Sequence, residues 1–134
     1  MKWLYLSVFL ITTITSLSAQ NRSSLREIEP TQPDYENVHV QPLYTDSTTS
    51  TFLVFVKKEV PKHYHASHTE QVMVLEGKGR MQLGEKEIMV KKGDFIVIPA
   101  GTLHAVRVIG RKPMKVLSIQ SPEFKGEDRI FVDN

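Results

Sequence analysis

The amino-acid sequence predicts an all-β protein, a sandwich or barrel of short strands built as one domain. From Val38 onward, short runs rich in valine, isoleucine and phenylalanine recur at close intervals, with glycine, proline or charged residues between them. The chain has 134 residues, 40% of them hydrophobic, which suits a single core and leaves no room for a second barrel of similar size. No stretch makes a convincing helix.

The N-terminal end of the chain has the layout of a secretory signal peptide, which we assign to residues 1–19. Lys2 supplies a positive charge, residues 3–14 are mostly apolar, and small polar residues follow. A membrane anchor is the alternative, but this apolar run is shorter than the roughly 20 residues that a spanning helix needs. Cleavage after Ala19, or after Ser18, would release a protein exported to the periplasm or the cell exterior, with no membrane contact.

A polar arm is expected to join the signal peptide to the barrel. Residues 20–37 are interrupted by Pro30 and Pro33 and follow no apolar period of either strand or helix. We therefore assign the barrel domain to residues 38–134.

The predicted strands follow the apolar runs in chain order, and each ends where turn-forming or charged residues begin. They lie near 38–43, 51–60, 62–66, 70–76, 79–83, 86–90, 95–98, 103–109, 114–120 and 129–132. Gly84-Glu85, between the fifth and sixth strands, suits a two-residue type II′ hairpin with glycine first. Pro99 has the φ of the second position of a turn, which Gly101 closes before the chain reverses into His104.

Three histidines and one glutamate are predicted to bind a metal ion. His63 and His65 flank Tyr64, so an extended strand would project both imidazoles from one face, about 6 to 7 Å apart at their roots. Glu70 lies five positions after His65, so a turn must intervene before this residue can open the next strand and face the same interior. His104 begins another apolar strand. Imidazole and carboxylate groups together suit a transition metal.

At these positions the sequence resembles the cupin family through two motifs. The first motif reads His63-Tyr64-His65, four residues, Glu70, six residues and Gly77, and the second reads Gly93, five residues, Pro99-Ala100-Gly101, two residues and His104. Two departures lie outside the ligand positions, because the family often has glycine where Lys57 stands and asparagine where Val108 stands.

The resemblance implies a jelly-roll barrel, also called a double-stranded β-helix, with one divalent transition metal ion held by His63, His65, Glu70 and His104. This ligand set is compatible with Mn, Fe, Co, Ni, Cu or Zn and does not choose among them. On an octahedral ion, four protein ligands leave two positions for water, dioxygen or a substrate. Small single-domain cupins commonly pair, so we expect a homodimer in which the polar arm could reach the partner.

Parity along the strands predicts which side chains line the pocket beside the metal. Val72 and Val74 share the parity of the glutamate ligand on their strand, and Val106 shares that of the last histidine ligand. The pocket is therefore expected to be largely apolar. Gln82 is a candidate polar lining residue, with a solvent-facing position as the alternative.

His68 lies on the turn that connects two of the predicted ligands. It could compete with His65 for the metal or assist the ligands as a nearby base, or it could be an exposed turn residue. The sequence leaves these readings open.

Composition narrows the possible functions. The chain has seventeen lysine and arginine residues and fifteen acidic ones. The basic residues are scattered in pairs rather than clustered, so the sequence does not indicate nucleic-acid binding. The absence of cysteine excludes disulfides and thiolate-bound metals. We expect a secreted metal-binding protein with a small-molecule ligand. It is either a metal-dependent enzyme of the dioxygenase, decarboxylase, lyase or isomerase type, or a non-catalytic module that binds a metabolite or metal.

Overall fold

The computed structural model describes residues 22–132 of the chain. These residues contain ten β-strands and no helix. The strands are β1 (Val38–Thr45), β2 (Ser50–Val56), β3 (Glu59–Tyr64), β4 (Thr69–Glu76), β5 (Lys78–Leu83), β6 (Lys86–Lys91), β7 (Phe95–Ile98), β8 (His104–Val108), β9 (Met114–Ser121) and β10 (Ile130–Phe131). None of the described residues forms a helix long and apolar enough to cross a membrane. The predicted signal peptide, residues 1–19, lies outside the described residues.

The strands form two five-stranded antiparallel sheets, which confirms the predicted all-β class. The first sheet has the order β1-β2-β9-β4-β7, and the second has the order β10-β3-β8-β5-β6. From β2 onward the chain passes from one sheet to the other at every connection except the β5–β6 hairpin. This winding between two facing sheets is that of a double-stranded β-helix.

Apolar side chains from both sheets meet in one core. On β7, for example, Ile96 and Ile98 are buried while Phe95 and Val97 between them are exposed, as the period of two in a strand requires. Each buried aliphatic side chain stabilises the fold by about 1.5 to 3 kcal/mol. The buried cluster consists of Val56, Val74, Met81, Val90, Ile96, Ile98 and Met114.

The predicted 51–60 strand is two strands, because the side chain of Asn37 interrupts it. Asn37 Oδ1 accepts hydrogen bonds from the backbone N–H groups of Lys58 and Glu59, each at 3.0 Å, and its Nδ2 donates to the Glu59 carbonyl at 2.8 Å. These bonds satisfy backbone groups that an unbroken strand would present to a neighbour. The chain therefore bends at Lys57 and Lys58 and enters the second sheet.

Two turns next to the site test the turn predictions. Gly84 has a φ of 58° and no non-glycine residue among those described has a positive φ, in agreement with a type II′ hairpin that has glycine first. The prediction for Pro99 was wrong by one position. The Thr102 N–H donates to the Pro99 carbonyl at 3.1 Å, so Pro99 is the first residue of this turn and Gly101, with a φ of 78°, is the third.

The described part of the polar arm packs against its own barrel. Lys115, buried on the outward-facing side of β9, donates from Nζ to the carbonyls of Arg26 and Ile28 at 3.2 and 2.6 Å. Farther along, the Lys57 ammonium lies 4.0 Å from the centre of the Tyr35 ring. A contact of the arm with a partner subunit stays a prediction.

Candidate metal centre

The four predicted ligands come together at one end of the barrel. His63 and His104 are register partners on the neighbouring strands β3 and β8, whereas Glu70 reaches them from β4 in the facing sheet. His65 follows the end of β3 directly, one residue before the bend that turns the chain toward β4. All four are buried, and one potential ligand atom from each lies within 4.8 Å of the others.

The ligand histidines direct Nε2 into the cluster, because a backbone carbonyl occupies each Nδ1. His63 Nδ1 lies 2.8 Å from the carbonyl oxygen two residues before it, and His104 Nδ1 has the same arrangement at 2.9 Å. His65 Nδ1 donates to the carbonyl of Asp128. A carbonyl oxygen only accepts, so Nδ1 carries the proton and Nε2 keeps its lone pair in the neutral ring.

The carboxylate of Glu70 faces these lone pairs. Its Oε2 lies 3.2 Å from His104 Nε2 and 3.5 Å from His65 Nε2, while Oε1 accepts a hydrogen bond from the Ser118 hydroxyl. Burial acts to raise the pKa of Glu70, but positive charge at His104 and His65, whether a proton on Nε2 or a cation in its place, together with the Ser118 hydroxyl outweighs it and holds this pKa below its usual range. The carboxylate is therefore ionised at neutral pH.

The charge balance of the cluster fits a bound cation. The Nε2 atoms of His65 and His104 are buried without a hydrogen-bond partner. Burial, followed by the repulsion of His104, lowers the pKa of His63 to about 4, so that ring is neutral at pH 7. Buried imidazole lone pairs and a carboxylate that point at one another need a positive charge between them. One divalent ion bound by the imidazoles would supply it, and this donor set is suited to such an ion.

His68 is buried rather than exposed, and its hydrogen bonds exclude it as a ligand. Nδ1 lies 2.5 Å from a carboxylate oxygen of Asp128, and Nε2 lies 2.9 Å from the carbonyl of Glu123. Both partners are acceptors, so both nitrogens donate and the ring is an imidazolium. Burial acts to lower the pKa of His68, but the bonds to Asp128 and Glu123 outweigh it and raise that pKa.

Asp128 links His68 to the centre, and sequence reasoning missed it. Its carbonyl accepts from the ligand His65, while its carboxylate accepts from His68 and from the backbone N–H groups of Ala66 and Ser67 at 2.8 and 2.9 Å. His68 thus supports His65 through Asp128. No motif surrounds Asp128, and its distance from the ligands along the chain left no signal in the sequence.

A cavity of about 90 Å³ lies beside the ligands and is lined mainly by apolar side chains. Val72, Val74 and Val106 line it, as the parity of their strands predicts. Gln82 does not, so its assignment as a lining residue is corrected. It points to the outer face of the second sheet, where its Nε2 donates to the Gly84 carbonyl at 3.1 Å, because it has the opposite parity to the buried Met81.

Two polar residues of the cavity were not predicted. Gln120 is 2% exposed and is the register partner of Glu70 on β9, and Arg129 reaches the cavity from the segment before β10. Parity could have indicated Gln120, since it shares a face with Met114, Val116 and Ser118. The sequence around Arg129 carries no comparable pattern.

Several known proteins have sequences similar to this chain. A family model described as the Cupin domain matches residues 52–120. An uncharacterized protein of Aquifex aeolicus is 36% identical over 98 residues, which cover 73% of this chain and 80% of that protein. Quercetin 2,3-dioxygenase of Bacillus subtilis is 40% identical over 68 residues, 46% of this chain but only 20% of the dioxygenase.

A solved structure has the same fold. It is an uncharacterized conserved protein with a double-stranded β-helix domain from Klebsiella pneumoniae, which superposes with a TM-score of 0.71 at 16% identity, over 87% of this chain and 100% of that one. At this identity the likeness concerns the fold alone. Since the family model matches more than half of the chain and the winding of the two sheets agrees, the chain belongs to the cupin domain family.

Proposed function

We propose that this protein is a metal-dependent enzyme that acts on a small organic molecule, with His63, His65, Glu70 and His104 holding one divalent transition metal ion. The observation that carries the proposal is the set of histidine nitrogens aimed at one carboxylate, two of them buried without a hydrogen-bond partner. A purely structural barrel has no need of such a group, because buried unpaired polar atoms destabilise the fold.

The residues around the centre would prepare it for chemistry. The carbonyl partners of Nδ1 hold each imidazole in one tautomer and orientation, and Ser118 holds Glu70. The apolar wall of the cavity would receive the organic part of a substrate and exclude water from it. An ion bound here would supply Lewis-acid or redox chemistry.

The reaction class is proposed more broadly. The similarity to part of quercetin 2,3-dioxygenase supports testing oxygenation first. Decarboxylation, lyase chemistry and isomerisation are kept as candidates, because one fold serves many reactions.

Metal binding tests the proposal most directly. Elemental analysis of the purified protein should find about one divalent ion per chain, and His104→Ala should abolish it because a ligand is lost. His39→Ala is the matched control, since that histidine lies outside the cluster and shares a hydrogen bond with Thr31. Equal metal content in the two variants would refute the assignment of the ligands.

Activity is tested on the metal-loaded protein. The iron, manganese, nickel and zinc forms would be incubated with phenols, keto acids and sugars, and turnover should depend on His104. If every form binds metal and none turns over any compound, the enzyme proposal fails.

A non-catalytic binding module is the second candidate. Among the described residues that line the cavity, Gln120 and Arg129 are the polar ones besides the ligands, so the lining holds no carboxyl or imidazole group outside the metal cluster to act as a general acid or base. A ligand that raises the melting temperature but is recovered unchanged would favour this candidate.

Export and pairing complete the proposal. We propose that the mature protein begins after residue 19 and works outside the cytoplasm as a homodimer. N-terminal sequencing of protein from the periplasm or culture medium tests the first statement. A monomeric mass in solution at micromolar concentration would contradict the second.

A further inference from the structure

The amide of Gln120 is held so that its oxygen is left for a ligand. The Ser118 hydroxyl donates a hydrogen bond to Glu70. The Ser118 oxygen therefore accepts a hydrogen bond from Gln120 Nε2 at 3.5 Å. This relay fixes which end of the amide is the oxygen. Gln120 Oε1 is then buried without a partner in a residue that lines the cavity. A buried acceptor of this kind is complementary to a hydroxyl or N–H group.

Arg129 adds a positive charge to the same cavity. It is the only lysine or arginine among the described lining residues, and its guanidinium lies 5.5 Å from the centre of the Phe124 ring. Phe124 in turn packs edge-on against the ligand His65, with 5.7 Å between the ring centres. Arg129 is therefore held on the metal side of the cavity by an aromatic contact. A planar guanidinium in this setting is suited to a carboxylate.

We propose that the cavity binds a small hydroxy acid with a branched apolar side chain. In this arrangement the carboxylate pairs with Arg129, the hydroxyl donates to Gln120 Oε1, and the alkyl group lies among Val72, Val74 and Val106. A volume of about 90 Å³ restricts the ligand to a compact molecule. The inference rests on the proposed function, because it names the substrate class of the same site.

Three related compounds separate the two contacts. The probes are 2-hydroxy-3-methylbutanoate, its uncharged amide, and 3-methylbutanoate, which lacks the hydroxyl. Binding would be measured by titration calorimetry on the metal-free and metal-loaded protein. The hydroxy acid should bind the metal-free protein about tenfold or more tightly than either of the others, as expected for a hydrogen bond to a charged group or to a buried acceptor.

Two variants assign these preferences to residues. Arg129→Gln should weaken the hydroxy acid about tenfold or more and leave the amide unchanged. Gln120→Leu should weaken the hydroxy acid and leave 3-methylbutanoate unchanged. Arg111→Gln, which removes an exposed arginine in a groove away from the cavity, is the matched control for charge and should change nothing.

The outcomes keep this inference distinct from the proposed function. If none of the three compounds binds at millimolar concentration, or if Arg129→Gln weakens acid and amide equally, the inference is wrong. Retention of about one metal ion per chain in Arg129→Gln would then leave the proposed function standing. Preserved discrimination in a protein that holds metal but turns nothing over would instead support the inference and reject the enzyme.

Discussion

Each imidazole has two nitrogens, and the partner of one fixes what the other can do. In His63, His65 and His104 a carbonyl accepts a hydrogen bond from Nδ1–H, which leaves the Nε2 lone pair to bind a metal. In His68 both nitrogens donate, so a neighbour of the ligands in the sequence becomes a cation that braces them. Only the three-dimensional partners separate these two roles.

Loss of the Asp128 charge should destabilise the fold. Asp128→Asn leaves the buried His68 imidazolium without its counter-charge, so the free energy of unfolding should fall by about 2 kcal/mol. Glu59→Gln is the matched control, because its ion pair with Arg107 is exposed and should be worth less than about 1 kcal/mol. Urea denaturation measures both, and equal losses would contradict the assigned role of Asp128.

The hydroxyl of Ser118 should matter for metal affinity. Ser118→Ala removes the donor to Glu70 Oε1 and frees the carboxylate to rotate, so affinity for the ion should fall about 10- to 100-fold. Ser121→Ala provides the comparison, since Ser121 is on the same strand at the opposite parity. Titration of the two metal-free variants with the ion measures both affinities. Indistinguishable affinities would refute the role of Ser118.

At the scale of strands and turns, local pattern predicted most of what the structure contains. Alternation placed the strands to within a residue or two at most ends, because one face of each strand must be buried. The largest error arose where a distant side chain decided the outcome. Asn37 divides the strand predicted at 51–60, and no pattern within that strand announces it.

Two glycines distinguish backbone strain from steric clash. Gly77 and Gly84 both have a positive φ, but a Cβ on Gly77 would lie 2.6 Å from the Pro113 carbonyl oxygen, whereas nothing lies within 4 Å of one on Gly84. Gly84→Ala should therefore cost about 1 kcal/mol for the left-handed backbone. Gly77→Ala should cost a further 1 to 3 kcal/mol or so for the clash. Denaturant midpoints measure the difference, and equal costs would show that the β5 end adjusts freely.

Across the whole molecule, the sequence predicted the four candidate ligands, which do cluster, but not the residues that hold them. The four ligands belong to two compact motifs, so their spacing was informative. Their supports are Ser118 and Asp128, which lie on later segments that meet the ligands only after the two sheets face each other. The same limit applies to the lining residue Arg129, whereas the parity of β9 could have indicated Gln120.

One buried cation joins residues 26–28 of the polar arm to the barrel. Lys115 is 5% exposed, and its ammonium donates to the carbonyls of Arg26 and Ile28. Lys115→Met keeps the apolar part of the side chain but removes both hydrogen bonds. Local opening of the arm should therefore become about tenfold or more frequent. Trypsin should then cut after Arg26 correspondingly faster, whereas Lys86→Met, at the exposed end of a hairpin, should leave that rate unchanged.

An unchanged rate in Lys115→Met would mean that other contacts hold the arm. Accelerated cleavage with an unaltered melting temperature would show that the arm opens independently of the barrel.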